Sequence, residues 1–223
     1  MQTGAAEQVR AQLLEAILSG RLPVGSRINA EEQARRLGVS HIPVREALHA
    51  LGAAGWIVHR RNQGAFVRDY DAAELADLFE TRAHLESAVA VLAAQRRTST
   101  QLVALEEILR RQAATDEPAE LARINAEFHL AVAACTQNTL LAGYLRDLTN
   151  RVRFYFVPVA TSRRRDSLAE HHRLLDAIRD RDADRARELI LAHIADTRTT
   201  VTALTVAGAT PAASPVPRLE PVQ

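Results

Sequence analysis

The sequence predicts a mostly α-helical chain with one small β-hairpin near its N-terminus. Three observations lead there. Apolar residues recur at helical spacing over most of the 223 residues. Aromatic residues make up only 4%, and β-branched clusters are confined to a few places. The two best strand candidates, WIVHR and GAFVRDY, flank the turn-forming stretch RNQG.

In chain order, VRAQLLEAILSG (9–20) places Val9, Leu13, Ala16 and Ile17 on one face and stops at Gly20. The turn-rich piece RLPVGSRIN follows, then a short helix over 30–38 that ends in Gly38. Ser40 can cap the next helix, which carries Pro43 near its first turn and runs to about Gly55. The hairpin comes next. From Asp71 onward the pattern predicts helices over 71–96, 99–114, 117–135, 138–158, 163–180 and 182–205, with Asp71, Ser99 and Ser162 as candidate caps. The final PAASPVPRLEPVQ holds Pro211, Pro215, Pro217 and Pro221 and has little to bury, which predicts disorder over 207–223. The chain thus divides into an N-terminal part, 1–70, an all-helical part, 71–206, and a tail.

Composition narrows the function. No run of 18 apolar residues exists and no charged start precedes an apolar stretch, so neither a membrane span nor a signal peptide is expected. The one cysteine, Cys135, leaves no internal disulfide framework and fits a cytoplasmic protein. It shares a helical stripe with Phe128 and reads as a core filler. Charge is uneven: residues 1–68 carry nine Arg against five Glu, a net of +4, while residues 69–223 carry nineteen Arg against twenty-two acids, a net of −3. That asymmetry hints at an anionic partner at the N-terminal end.

Helix, short helix, tight turn, helix and hairpin is the order of a winged helix-turn-helix. The turn GVS lets the second helix of the pair cross the first, so that its N-terminal end can enter a DNA major groove. Arg45 lies near that end, where a guanidinium can read guanine. Arg35 and Arg36 close the preceding helix and can reach phosphates, and Arg60 and Arg61 stand at the hairpin tip beside Gly64. Taken singly, each of these is an ordinary solvated charge; the ordered combination is specific. The stretch SRINAEEQARRLGVSHIPVREALHALGAAGWIVHRRNQGAFV resembles the DNA-binding domain of GntR-type bacterial transcription regulators, through LGVS, PVREAL, L-x-x-x-G and G-x-F-V. The resemblance implies a base or phosphate contact for Arg45, backbone contacts for Arg35 or Arg36, and the wing turn at Gly64. After Ser40 the family usually has Arg; His41 stands here, which implies a weaker phosphate contact or a different base preference.

In the helical part, INAEFHLAVAA (124–134) sets Asn125 and His129 one turn apart beside the stripe of Ile124, Phe128 and Ala131. By periodicity alone the pair reads as polar residues at the edge of a core face. His129, His171 and His193 each fall inside a predicted helix next to apolar neighbours, and imidazoles converging from separate helices of a bundle can hold a metal ion. The segments RAHLESAVAVLAA, NAEFHLAVAACTQNTLL and EHHRLLDAIRDRDADRARELILAHI resemble the ligand-sensing FCD domain of the FadR-like branch of the same family. Its metal-binding members use an Asp and a His four apart, then one His on each of two later helices. The resemblance therefore implies Asn125, His129, His171 and His193 as ligands of a divalent ion, zinc ahead of nickel or manganese. It also implies Arg82 as an effector-facing residue, against the plainer reading of a pair with Glu86 one turn on. Asn125 in place of Asp brings no charge, so an anionic effector, a small carboxylate, is expected beside the ion. His41, His49, His59, His84 and His172 are read as non-ligands.

The expected function is therefore a homodimeric, effector-responsive regulator, a repressor, that binds a double-stranded DNA operator. Leu75, Leu78, Phe79 and Leu85 are candidates for the subunit contact. Three alternatives stand beside it: a sensor of the metal itself, an acyl-CoA sensor of the FadR type, and a metal-dependent hydrolase carrying a DNA-binding module. The hydrolase is disfavoured because no P-loop, G-x-S-x-G or H-E-x-x-H occurs and Glu127 points away from the ligands.

Overall fold

The computed structural model describes residues 4–208, with side chains to residue 204. The N-terminal part runs α1 (Ala5–Leu18), β1 (Arg27–Ile28), α2 (Ala30–Leu37), α3 (His41–Ala53), β2 (Ile57–Arg60) and β3 (Gly64–Val67). The helical part runs α4 (Ala72–Arg96), α5 (Ser99–Ala113), α6 (Pro118–Cys135), α7 (Thr139–Phe156), a 3-10 turn (Val157–Val159), α8 (Ala160–Arg179) and α9 (Ala183–Gly208). No described helix is long and apolar enough to cross a membrane.

Local chemistry sets the N-terminal part. Asn29 caps α2 by accepting from the amides of Glu31 and Glu32, and Gly38, at φ 67°, ends it in the left-handed conformation that starts the turn into α3. α3 buries Val44, Ala47, Leu48 and Leu51, and it packs on α1, which buries Val9, Leu13 and Ile17. β2 and β3 pair antiparallel from Ile57↔Val67 to Arg60↔Gly64, with Asn62 (φ 61°) and Gly64 (φ 99°) absorbing the reversal. β1 then pairs with the far edge of β3, giving the order β1-β3-β2.

Around α6 the remaining helices form a bundle in which α4 lies along α9, and α6 contacts α4, α5, α7 and α8. Asp71 caps α4 as expected, but α5 is capped by Thr98, in a capping box with Gln101, rather than by Ser99. Ser162 lies inside α8, its hydroxyl donating back to the Val159 carbonyl, and Ser40 holds the N-cap position of α3 without a side-chain bond. Leu75, Leu78 and Phe79 are buried in the chain's own core, so they are not free for a subunit contact; the large apolar side chains left exposed include Leu140 and Tyr144 on α7. Of the tail expected to be disordered, residues 209–223 lie outside the described residues.

The C-terminal half of α7 joins the two parts. Phe154 meets Trp56 edge-on at 6.1 Å and Tyr70 at 5.1 Å. Arg151 pairs with Glu74 at 2.7 Å and donates to the Ala54 carbonyl, while the Tyr155 hydroxyl donates to Glu74 at 3.0 Å. Arg153 reaches α1 and grips Glu15 with both terminal nitrogens, at 2.8 and 2.6 Å.

Candidate metal centre and DNA-binding face

Three helices bring one histidine each to a common point. His129 on α6, His171 on α8 and His193 on α9 are all buried, and one ring nitrogen from each lies within 4.8 Å of the other two. Their ring centroids are 5.2, 5.1 and 4.8 Å apart. Phe128 stacks on His171 at 4.2 Å and fixes the plane of that ring. His172, beside His171, is exposed.

Each imidazole is oriented from behind. His129 Nδ1 lies 2.7 Å from Glu86 on α4, His193 Nδ1 lies 2.7 Å from Glu170, and His171 Nδ1 lies 3.0 Å from the carbonyl oxygen of Gln112 on α5. All three partners are acceptors, so each Nδ1 carries the proton and each Nε2 presents a lone pair. His171 Nε2 and His193 Nε2 are buried and have no hydrogen-bond partner among the described residues. Burial, then the neighbouring imidazole and Arg82 charges, holds His171 and His193 well below the ordinary histidine value; burial also lowers His129, with Glu86 opposing. Neutral rings with inward lone pairs and carboxylate or amide partners behind them are the form in which histidine ligates a metal. The residues fit a divalent ion.

Arg82 is 1% exposed and both earlier readings meet in it. Its Nε donates to Glu86 at 2.5 Å, the plainer pairing, while its Nη2 lies 2.9 Å from His129 Nε2 and its Nη1 has no hydrogen-bond partner among the described residues. Burial raises the Glu86 carboxyl, but Arg82 and then His129 outweigh it and hold the group well below the usual carboxylate range. Asn125 is buried rather than at a polar edge, because α6 is covered on nearly every side. Its Oδ1 accepts from Ser167 at 3.3 Å, and it lines a narrow hollow with Arg82, Glu86, His129, Thr149 and Arg153. On the opposite side Arg163, buried, donates to Glu170 at 2.6 Å. Glu127 faces away and pairs with Arg123 at 3.0 Å, and Cys135 is buried, its thiol pushed up to about 11 by burial.

Sequence reading did not find Glu170, Gln112 or Arg153. Gln112 carried a signal: it continues the buried stripe Leu105, Ile108, Leu109 on α5, and a buried amide needs a partner. Glu170 carried none, since it adjoins His171 in sequence yet orients His193 on the next helix.

At the other end, His41, Arg45 and Gly64 line one surface hollow together with Arg27 and His59, between α3 and the hairpin. Arg60 lies over the Phe66 ring at 4.3 Å, and Arg61 is exposed beside it. Arg35 is exposed at the end of α2. Arg36 is set apart: it donates to Gln33 and lines a different hollow with Gln12, Glu15 and Arg21. Ile42, at the start of α3, is exposed.

Comparisons with known proteins agree with both halves. Residues 5–67 match the bacterial regulatory proteins of the gntR family, and residues 77–196 match the FCD domain. The chain is 35% identical over 172 residues to the Nta operon transcriptional regulator of Aminobacter aminovorans, covering 76% of this chain and 81% of that protein. It is 28% identical over 197 residues to the probable D-xylose utilization operon transcriptional repressor of Paenarthrobacter nicotinovorans, covering 87% of each. The crystal structure of a putative GntR transcriptional regulator from Rhodococcus sp. RHA1 superposes with a TM-score of 0.80 at 22% identity, over 90% of this chain and 99% of that one.

Proposed function

The chain belongs to the GntR family of bacterial regulatory proteins, with an FCD domain as its helical part, and from that premise we propose that it is a repressor whose hold on a double-stranded DNA operator is set by a small carboxylate bound at a metal ion. That it is a DNA-binding regulator and not an enzyme follows from the family and its relatives. The observation that carries the finer reading is the convergence of three Nε2 lone pairs, each ring locked through Nδ1 by Glu86, Gln112 or Glu170.

His129, His171 and His193 would hold the ion, with the Asn125 carbonyl as the fourth donor. Three imidazoles and an oxygen suit zinc first, with nickel or manganese as alternatives. When bound, the ion supplies a Lewis-acidic anchor for a carboxylate oxygen. Arg82 competes with the ion for the His129 lone pair, and its guanidinium is suited to gripping the same acid.

In the N-terminal part, α3 is read as the groove-entering helix, with Arg45 as a base contact and Ser40 and His41 at its leading end. Arg35, Arg36, Arg60 and Arg61 serve the phosphates, and Gly64 keeps the wing tight. A homodimer on a two-fold symmetric operator completes the reading. The repressor sign rests on the relative named as a repressor. Fluorescence anisotropy on DNA from upstream of the protein's own coding region tests it: tight binding by the zinc-loaded protein, released by hydroxy acids, is expected. Release by zinc alone, with no effect of any acid, would contradict the carboxylate and make the metal the signal.

A further inference from the structure

Resting on the metal-cage reading above, we propose that the effector is a dianion, a small dicarboxylic acid, and that Arg153 is its second anchoring residue, trading its grip on Glu15 for the acid's second carboxylate. Charge is the first ground. Around the cage, buried Arg82 is matched by Glu86, Arg163 by Glu170 and Arg153 by Glu15. The imidazoles are neutral and Asn125 adds no charge, so a divalent ion would bring two positive charges with nothing opposite. In a buried site that imbalance favours a ligand carrying two negative charges over one carrying a single charge.

Geometry is the second ground. Arg82 and Arg153 line the same narrow hollow from α4 and α7, and among the described residues each keeps a buried nitrogen without a hydrogen-bond partner, Nη1 of Arg82 and Nε of Arg153. An acid anchored at one end by Arg82 therefore has a second guanidinium in reach of its other end. The hollow has no room even for a water molecule, so binding has to move a side chain, and Arg153, whose partner is the most exposed, is the one of the three arginines that can move. The carboxylates opposite Arg82 and Arg163 are 5% and 10% exposed, whereas that of Glu15 is 45% exposed. Glu15 also shares its surface hollow with Arg21 and Arg36, which offer it other counter-charges.

The exchange reaches the DNA-binding part directly. Glu15 lies on α1, which packs against α3, and the Arg153–Glu15 pair is one of the ties across the boundary. Loss of that tie frees Glu15 to compete for Arg36. By linkage, whatever weakens the Glu15 pair strengthens acid binding.

Calorimetry on the zinc-loaded full chain with malate and lactate tests this, because both are hydroxy acids and malate alone has a second carboxylate. Malate is expected to bind about tenfold or more tightly than lactate, the scale of one charge-assisted contact. Arg153→Gln brings malate down to the level of lactate. Glu15→Gln, at a half-exposed position, tightens malate severalfold and leaves lactate unchanged. Equal binding of the two acids by the wild type, or a preference that survives in Arg153→Gln, or malate binding indifferent to Glu15→Gln, overturns this inference and leaves the carboxylate reading standing. Binding of neither acid overturns both.

Discussion

Mild acid is expected to unfold the metal-stripped protein well above the carboxylate range. His171 and His193 are fully enclosed, and burial together with the charges of neighbouring imidazoles and of Arg82 holds both well below the ordinary value. In the unfolded chain they titrate near 6.5, so above that pH neither state carries the proton and the stability is undiminished. Below it the unfolded chain takes up protons that the folded chain refuses, and stability falls with falling pH until the folded value is reached. Each group contributes about 1.4 kcal/mol per pH unit in that window, so the two remove roughly 2.7 kcal/mol per unit from a total of about 5–15 kcal/mol. Glu86 does not blur the result: its carboxyl is depressed, so its stabilisation is lost only on acidification through and below the carboxylate range. Urea denaturation of chelator-treated protein at fixed concentration, between pH 7.5 and 5.5, reads the slope through the fluorescence of the single tryptophan, Trp56. His171→Gln should remove about 1.4 kcal/mol per pH unit of it. A midpoint that is flat from pH 7.5 to 5.5 would refute the reasoning, since it would mean that the cluster is open to protons in the folded state.

Other expectations follow from single contacts. Glu86→Gln leaves Arg82 buried without its counter-charge and should cost about 3–5 kcal/mol; it should also weaken zinc binding about 10–100-fold by loosening His129, measured by competition with a chromophoric chelator. Phe154→Ala removes the ring that packs on Trp56 and should cost about 3–5 kcal/mol, with a red shift of tryptophan emission as the two parts loosen. Arg45→Ala should weaken operator binding by about 1–3 kcal/mol and relax preference at one base, whereas Arg61→Ala should lower the salt dependence by about one counterion. Anisotropy at several salt concentrations separates the two, and equal effects would remove the assignment of Arg45 to a base.

Much of this architecture is legible in single-helix patterns, and what is missed lies between helices. The Leu and Ala periodicity from Leu75 to Val201 gives the bundle, and Asp71 marks its start, because caps and stripes are local. The strand Arg27–Ile28 is invisible, since two residues show no alternation and only pairing with β3 makes them a strand. Asn125 and His129 look like an edge pair on α6 viewed alone; they are interior because neighbouring helices cover that edge as well. Periodicity does not decide between His171 and His172; the choice of His171 rests on the family resemblance, and burial agrees. The orienting partners are harder. Arg82 and Glu86 are one turn apart and can be paired on paper, but Glu170 with His193, and Arg153 with Glu15 at the far end of the chain, depend on how helices are set against each other.

The most direct test of the central claim is elemental analysis of untagged protein, purified without added metal or chelator, beside a His171→Ala variant. A near-stoichiometric divalent metal in the wild type that is lost from the variant is the predicted result. Absence of metal from both, or its full retention when His171 is removed, would contradict the cage.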